Sequence, residues 1–275
     1  MAEVTPDILV RRDGGVLLLT LNRPAKKNAL TTAMYQELSH WLQQADVDDT
    51  IRCVLLSGSG DSFCSGNDLG DFERRKKGEP SPGIAFLEVL AATRTPVVVA
   101  VNGLGVGIGA TLLLHCDLIY AARGAWLRFP FVDLGLVPEA ASSLLLPRLL
   151  GRPRAAELLL LGEKLGAEYA ADLGLINACL DDDALLPHAL HQARRLADLP
   201  RRALQQAKQL IRQPDAETVV TQMRIEAEHF SRLLHSAEAV EARRAIRERR
   251  RPDFRGAEAA VQSSADRAAS LAKED

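Results

Sequence analysis

Apolar and polar positions along the first half of the chain fall into two periods. Residues 8–12 and 15–21 each read as a strand, and Asp13-Gly14 between them reads as the turn of a hairpin. Thr31 is placed to cap a helix through Met34, Leu38 and Leu42, whose spacing puts the apolar groups on one face. Short apolar runs at 53–56 and 96–101 read as buried strands, with helical periodicity over 84–93 between them. After a glycine-rich segment, residues 111–115 read as helical and 117–121 as extended.

From about residue 139 the pattern becomes mostly helical. Pro147, Gly151-Arg152-Pro153, Gly162 and Gly174 punctuate short segments, and residues 175–180 are one last strand candidate. Beyond Asp181 the chain is rich in Ala, Arg and Leu with helical spacing, broken at Pro200, Pro214 and Pro252. The pattern predicts an α/β core over 1–199, a helical region over 200–255 and a frayed tail over 256–275. No repeat of fixed period is present.

Composition narrows the class. The 275 residues are 47 % hydrophobic and 25 % charged, which allows a sizeable buried core. A formal net charge of −2 gives no general attraction to nucleic acid or to a membrane surface, so neither is expected as a partner. The basic run Arg247-Glu248-Arg249-Arg250-Arg251 reads as a solvated helix end. Cys53, Cys64, Cys116 and Cys179 are scattered without metal-ligand spacing, as in a reducing cytoplasm. Met1 to Asp7 shows no basic segment followed by an apolar stretch, no apolar run approaches the ~20 residues of a membrane span, and the last residues are not a peroxisomal address. A cytoplasmic protein is expected.

The chemistry concentrates in three places. Cys64-Ser65-Gly66-Asn67-Asp68-Leu69 has good turn chemistry, and its Cys64 and Ser65 lack both a nucleophile elbow and a suitably placed histidine. Gly103, Gly105, Gly107 and Gly109 alternate along a second segment. Read from Gly103 the spacing is not GxGxxG, because Ile108 stands at the third glycine; read from Gly105 it meets only the looser ending through Ala110. Glycine at alternate positions exceeds the need of a plain turn and lets backbone approach a ligand. The third place is Glu139, a lone carboxylate in the apolar turn Leu136-Val137-Pro138-Glu139-Ala140-Ala141. It reads equally as a structural residue, on a surface loop or as a first-turn acid complementing a helix dipole, or as a functional group. Two glycine loops can present backbone N–H groups to a carbonyl oxygen that gains charge, while one carboxylate moves a proton. Among the six histidines, His188 and His191 share helical spacing but lie in an Asp- and Ala-rich stretch without HExxH, so no metal site is expected.

Several segments, taken in order, resemble the crotonase superfamily, the enoyl-CoA hydratase/isomerase family. They are Leu21-Asn22-Arg23-Pro24-Ala25-Lys26-Lys27-Asn28-Ala29-Leu30, Phe63 to Leu69, Pro96 to Gly103, Cys116 to Ala121, Leu134 to Pro138 and Ala170 to Ile176. The resemblance runs from about Ile8 to Phe254. It implies a spiral of ββα units with a C-terminal helical region used in trimerisation, and a homotrimer or dimer of trimers. It also implies an acyl-CoA thioester as substrate, with its carbonyl between the backbone N–H groups of Asn67 and Ile108. By the same resemblance Lys26, Lys27, Ala29, Ser65, Gly66, Asp68, Leu69 and Gly107 contact the substrate or its CoA portion. Residues 71–82 are expected to be mobile and to shape the acyl tunnel.

The departures from the family pattern sharpen the expectation. A typical hydratase of this family carries two glutamates where this chain has Thr111 and Phe131. Neither residue can activate water or deliver a proton as a carboxylate does. Gly135-Leu136-Val137-Pro138-Glu139-Ala140-Ala141 instead is similar to peroxisomal-type Δ3,Δ2-enoyl-CoA isomerases, in which one glutamate stands at the position of Glu139. The resemblance thus implies double-bond migration from C3 to C2 through Glu139, with no cofactor beyond the coenzyme A of the substrate. Hydration or another crotonase reaction is the nearest alternative, and a non-catalytic acyl-CoA binder the alternative of another class.

Overall fold

The computed structural model describes residues 6–68, 70–71 and 81–260. The chain opens with the hairpin of β1 (Ile8–Asp13) and β2 (Val16–Leu21), paired antiparallel from Ile8 opposite Leu21 to Asp13 opposite Val16. Helix α1 (Thr32–Val47) starts where its cap predicts: the Thr31 hydroxyl accepts from the Met34 amide at 3.3 Å. Met34, Leu38 and Leu42 are buried, as a helical stripe facing a core must be.

Three successive units then repeat one plan, a strand in a large sheet followed by a strand in a small one. They are β3 (Cys53–Gly58) with β4 (Ser62–Cys64), β5 (Val97–Val101) with β6 (Leu104–Val106), and β7 (Leu118–Ala122) with β8 (Trp126–Arg128). Helix α2 (Pro82–Ala92) joins the first unit to the second, and the short α3 (Ile108–Thr111) with a turn of 3-10 helix joins the second to the third. After β8 come α4 (Ser142–Leu150), α5 (Arg152–Leu160), β9 (Leu165–Gly166), α6 (Ala167–Asp172), β10 (Ala178–Leu180) and α7 (Asp182–Asp198). Helices α8 (Arg201–Arg212), α9 (Ala216–Leu233) and α10 (Ala237–Arg247) follow, and residues 254–260 are helical, so the start of the tail expected to fray is helix over 256–260.

The large sheet has the order β1-β2-β3-β5-β7-β10 and is parallel from β2 onward. The small sheet has the order β4-β6-β8-β9, with β4, β6 and β8 parallel and β9 antiparallel. This is the spiral of ββα units that the resemblance implies. Parallel neighbours need long crossovers, and here the crossover carries the second strand and a helix. Every residue of β5, Val-Val-Val-Ala-Val, is buried, because helices cover the sheet; α7 lies across β3, β5 and β7.

The structure amends several boundaries. Residues 104–106 form a strand and Ile108 already begins a helix, so the second glycine segment is not one loop. The last strand spans only Ala178–Leu180, and 175–177 form a turn before it. Pro147 lies inside α4 rather than ending it. The short strands β8 and β9 carry too few residues to show a period. Pro82 opens α2, while residues 72–80 of the expected mobile segment lie outside the described residues.

Candidate active site

The direction of the small sheet places two loops side by side. β4 and β6 run parallel, Ser62 opposite Leu104 and Cys64 opposite Gly105, so the segments leaving their C-terminal ends emerge at one edge. The first is Ser65-Gly66-Asn67-Asp68, the second Gly107-Ile108. Gly66 has φ +103 and Gly107 φ +56, a region from which a β-carbon is largely excluded. In each loop a left-handed glycine thus turns the chain one residue before the amide of interest, that of Asn67 or Ile108. Among the described residues neither amide donates to another backbone group. Ile108 is the first residue of α3, whose opening amides have no intrahelical acceptor.

The loop after β4 is braced from below. Leu30 donates its amide to Gly66 O at 2.8 Å and accepts that of Asp68 at 2.9 Å, a bridge that brackets Asn67. Arg23 reaches Asp68 at 3.0 Å and the Ala29 carbonyl at 2.6 Å. Burial would raise the Asp68 carboxyl, but the hydrogen bonds from Arg23 and from the Asp71 and Gly70 amides prevail and hold it below the usual carboxylate range. Tyr35, not singled out from the sequence, donates its hydroxyl to the Asn67 side-chain oxygen at 2.7 Å. Burial, then the charge of Glu139, keeps that phenol well above its usual range, so it remains a donor.

These loops line a cavity of about 720 Å³. Lys26, Ala29, Ser65, Gly66, Asn67, Asp68, Gly107, Ile108 and Glu139 all face it. Lys27 does not: its ammonium turns to Asp61 at 2.6 Å on the exposed surface. Leu69 lies outside the described residues. The remaining wall is largely apolar, with Phe131, Leu134, Leu136, Phe230, Ile246 and Phe254. Among the described residues three carboxylates line the cavity. Asp68 is held by Arg23, and the exposed Asp133 by Arg128 at 2.8 Å. Glu139 is the buried one, at 7 % exposure. Of the two positions vacated by acids, Phe131 is part of the wall, whereas Thr111 is fully buried in α3 and does not line the cavity.

The segment carrying Glu139 has an unusual backbone. Ala140 (φ 62) and Ala141 (φ 54) both adopt the left-handed conformation, which disfavours a residue with a β-carbon by roughly 1–2 kcal/mol each. His115 and Glu226, neither given a role from the sequence, hydrogen-bond to this turn. Glu226 had one legible signal: it interrupts the apolar stripe Val219, Met223, Phe230 of α9.

The family model described as enoyl-CoA hydratase/isomerase matches residues 11–257. The chain belongs to the enoyl-CoA hydratase/isomerase family. It is 39 % identical to the 1,2-epoxyphenylacetyl-CoA isomerase of Escherichia coli K12, over 90 % of this chain and 98 % of that one. It is 37 % identical to enoyl-CoA delta isomerase 2 of Rattus norvegicus, over 78 % of this chain and 57 % of that one. The 2,3-dehydroadipyl-CoA hydratase of E. coli K12 is 32 % identical, over 91 % and 99 %. The crystal structure of an enoyl-CoA hydratase/isomerase from Pseudoalteromonas atlantica superposes with a TM-score of 0.86 at 44 % identity, covering 90 % of this chain and all of that one. The protein is therefore a crotonase-fold enzyme of a family that acts on acyl-CoA. Among the described residues no helix is long and apolar enough to cross a membrane.

Proposed function

We propose that this family member is a Δ3,Δ2-enoyl-CoA isomerase. The observation that carries the reading is the placement of Glu139: the buried carboxylate of the cavity shares it with the glycine-turned amides of Asn67 and Ile108. The thioester oxygen of a 3-enoyl-CoA sits between those two amides. Glu139 removes a proton from C2; the C–H electrons form a C1–C2 double bond and the carbonyl π pair moves onto the thioester oxygen. The resulting dienolate shares its charge with C4 and becomes C2–C3 unsaturated when C4 takes up the proton. Negative charge gathers on the thioester oxygen, where each amide donor is worth about 3–4 kcal/mol in the transition state. Protonated Glu139 then returns the proton at C4, giving the conjugated 2-enoyl-CoA. One carboxylate is sufficient because it serves as base and then as acid. The sequence of steps is redox-neutral and needs no cofactor beyond the coenzyme A of the substrate.

Net addition of water is less well served, since Thr111 and Phe131 supply no second carboxylate. A second reading keeps the same proton transfer but acts on a ring-derived acyl-CoA. Its support is the near full-length similarity to 1,2-epoxyphenylacetyl-CoA isomerase and the phenyl groups of Phe131, Phe230 and Phe254 in the wall. Assembly as a trimer or dimer of trimers is part of the proposal; Leu210 and Ile211 stand exposed on α8, and light scattering of the purified protein tests it.

The deciding experiment is Glu139→Gln assayed with 3-enoyl-CoA substrates. Turnover falls by roughly 10²–10⁴-fold on this mechanism, with substrate still bound. Near wild-type turnover in the variant eliminates the proposal. Efficient hydration of crotonyl-CoA by the wild type would move the assignment to the hydratases, and preference for a ring-derived substrate to the second reading.

A further inference from the structure

The chain places two alanines, not glycines, in the left-handed turn that follows Glu139. A β-carbon resists that conformation, so the turn depends on contacts made from outside it. Two buried polar side chains supply them from separate elements. From the 3-10 turn after α3, His115 donates Nε2–H to the Ala140 carbonyl at 2.8 Å. From α9, Glu226 accepts the amide of Ala141 at 2.6 Å, the amide of Ser143 at 3.0 Å and the Ser143 hydroxyl. Gln222, one turn before Glu226, donates to that same hydroxyl oxygen at 2.9 Å.

Glu226 is 4 % exposed on the apolar face of its helix, a costly site for a carboxylate. Among the described residues no lysine or arginine pairs with it; its donors belong to the turn and to Gln222. Burial raises the carboxyl above its ordinary range, and the bonds from Ser143, Ala141 and Gln222 oppose that rise. Such a group would be better replaced by an apolar residue if its only task were to dock α9. Phe230, the next residue on that face, lines the same cavity as Glu139.

We infer that Glu226 and His115 are positioning residues that hold the left-handed Ala140-Ala141 turn, and thereby aim the Glu139 carboxylate into the cavity. The inference rests on the reading of Glu139 as the acid/base. It adds that α9, some 85 residues downstream, sets the orientation of that group.

The test compares three proteins: wild type, Glu226→Gln, and Glu226→Gln combined with Ala140→Gly and Ala141→Gly. Glu226→Gln keeps one acceptor oxygen and puts an NH2 in place of the other, so it can no longer accept from both the Ala141 and the Ser143 amides, and the grip is weakened with little change in volume. Turnover per folded active site is expected to fall about 10–100-fold, with KM within about threefold, as for a misplaced catalytic group. Glycine occupies the left-handed region without resistance, so the two glycines are expected to restore at least about tenfold of the lost turnover. A role limited to docking α9 would lower the melting temperature, leave turnover per folded site unchanged and show no rescue by glycine; that result overturns the inference. Should Glu226→Gln fail to fold, His115→Leu removes the other grip and is read in the same way. Crystal structures of the variants separate this inference from the proposed reaction. A relaxed turn with a displaced Glu139 upholds the clamp even if the wild type proves not to shift double bonds, and unchanged φ values at both alanines refute it whatever the reaction.

Discussion

Gly109 lies directly against Cys64: a β-carbon built on it would stand 2.8 Å from the Cys64 β-carbon and closer still to that residue's carbonyl oxygen. Cys64 ends β4 and Gly109 sits in the first turn of α3, so this contact sets the separation of the two amide-bearing loops. Cys64 itself is fully buried, and burial pushes its thiol up to about 12, leaving it a neutral packing group rather than a nucleophile.

The first prediction follows from that contact. Gly109→Ala forces α3 away from β4 and is expected to destabilise the fold by about 1–3 kcal/mol, with a larger proportional loss of kcat. Gly124→Ala is the control, since a β-carbon there meets nothing within 4 Å. Melting temperature and kcat measured on both variants check it; a harmless Gly109→Ala would mean that the loop spacing has slack.

Tyr35→Phe removes the donor to Asn67 Oδ1 and leaves the packing beside Phe86, at a ring separation of 5.7 Å, largely unchanged. The expected loss is about 1 kcal/mol in transition-state stabilisation, or several-fold in kcat, with folding nearly intact. Equal kinetics of variant and wild type would show that the Asn67 amide needs no bracing through its side chain.

His115 makes stability pH-dependent. Burial, followed by the repulsion of Arg212, lowers its pKa to about 4, although its bond to the Ala140 carbonyl acts in the other direction. Between pH 4 and the ordinary 6.5 the unfolded chain holds the proton and the folded chain does not, so this contribution to stability falls as pH drops through that window. The full effect is on the order of 3 kcal/mol. Glu226 acts with the opposite sign: its raised pKa favours the folded state as its carboxyl protonates, above the ordinary carboxylate range. Denaturation of wild type and His115→Gln across this range should give a shallower acid-side slope in the variant. Parallel slopes would remove His115 as the cause.

Ala242 and Ala245 of α10 face the cavity, and both are buried. Ala245→Leu narrows it, and kcat/KM is expected to fall more for long acyl chains than for short ones, by about tenfold or more. A uniform fall across chain lengths would place the acyl group elsewhere.

Much of the frame was legible because it is set locally. The Thr31 cap, the stripe of Met34, Leu38 and Leu42, and the all-apolar Val97–Val101 each follow from a period or a side-chain oxygen that acts within a few residues. The glycine loops were legible for the same reason, since Gly66 and Gly107 adopt backbone angles that a β-carbon resists. Pro147 misled because proline's local rule yielded to the packing that keeps α4 helical. Lys27, next to a lysine that does face the cavity, was drawn to Asp61 on the surface, a contact between residues 34 apart.

The sequence by itself determined the repeating strand and helix plan, the two glycine-turned loops and the isolation of Glu139 from any second acid at positions 111 and 131. Only the tertiary structure decided that Glu139 is buried beside those loops in one cavity, and that its turn is gripped by His115 and Glu226. The reason is physical: backbone angles and periodicity are properties of neighbouring residues, whereas the grip joins Ala141 to a carboxylate 85 residues away. Such a contact exists only once α9 has packed against the turn, and no local pattern encodes it.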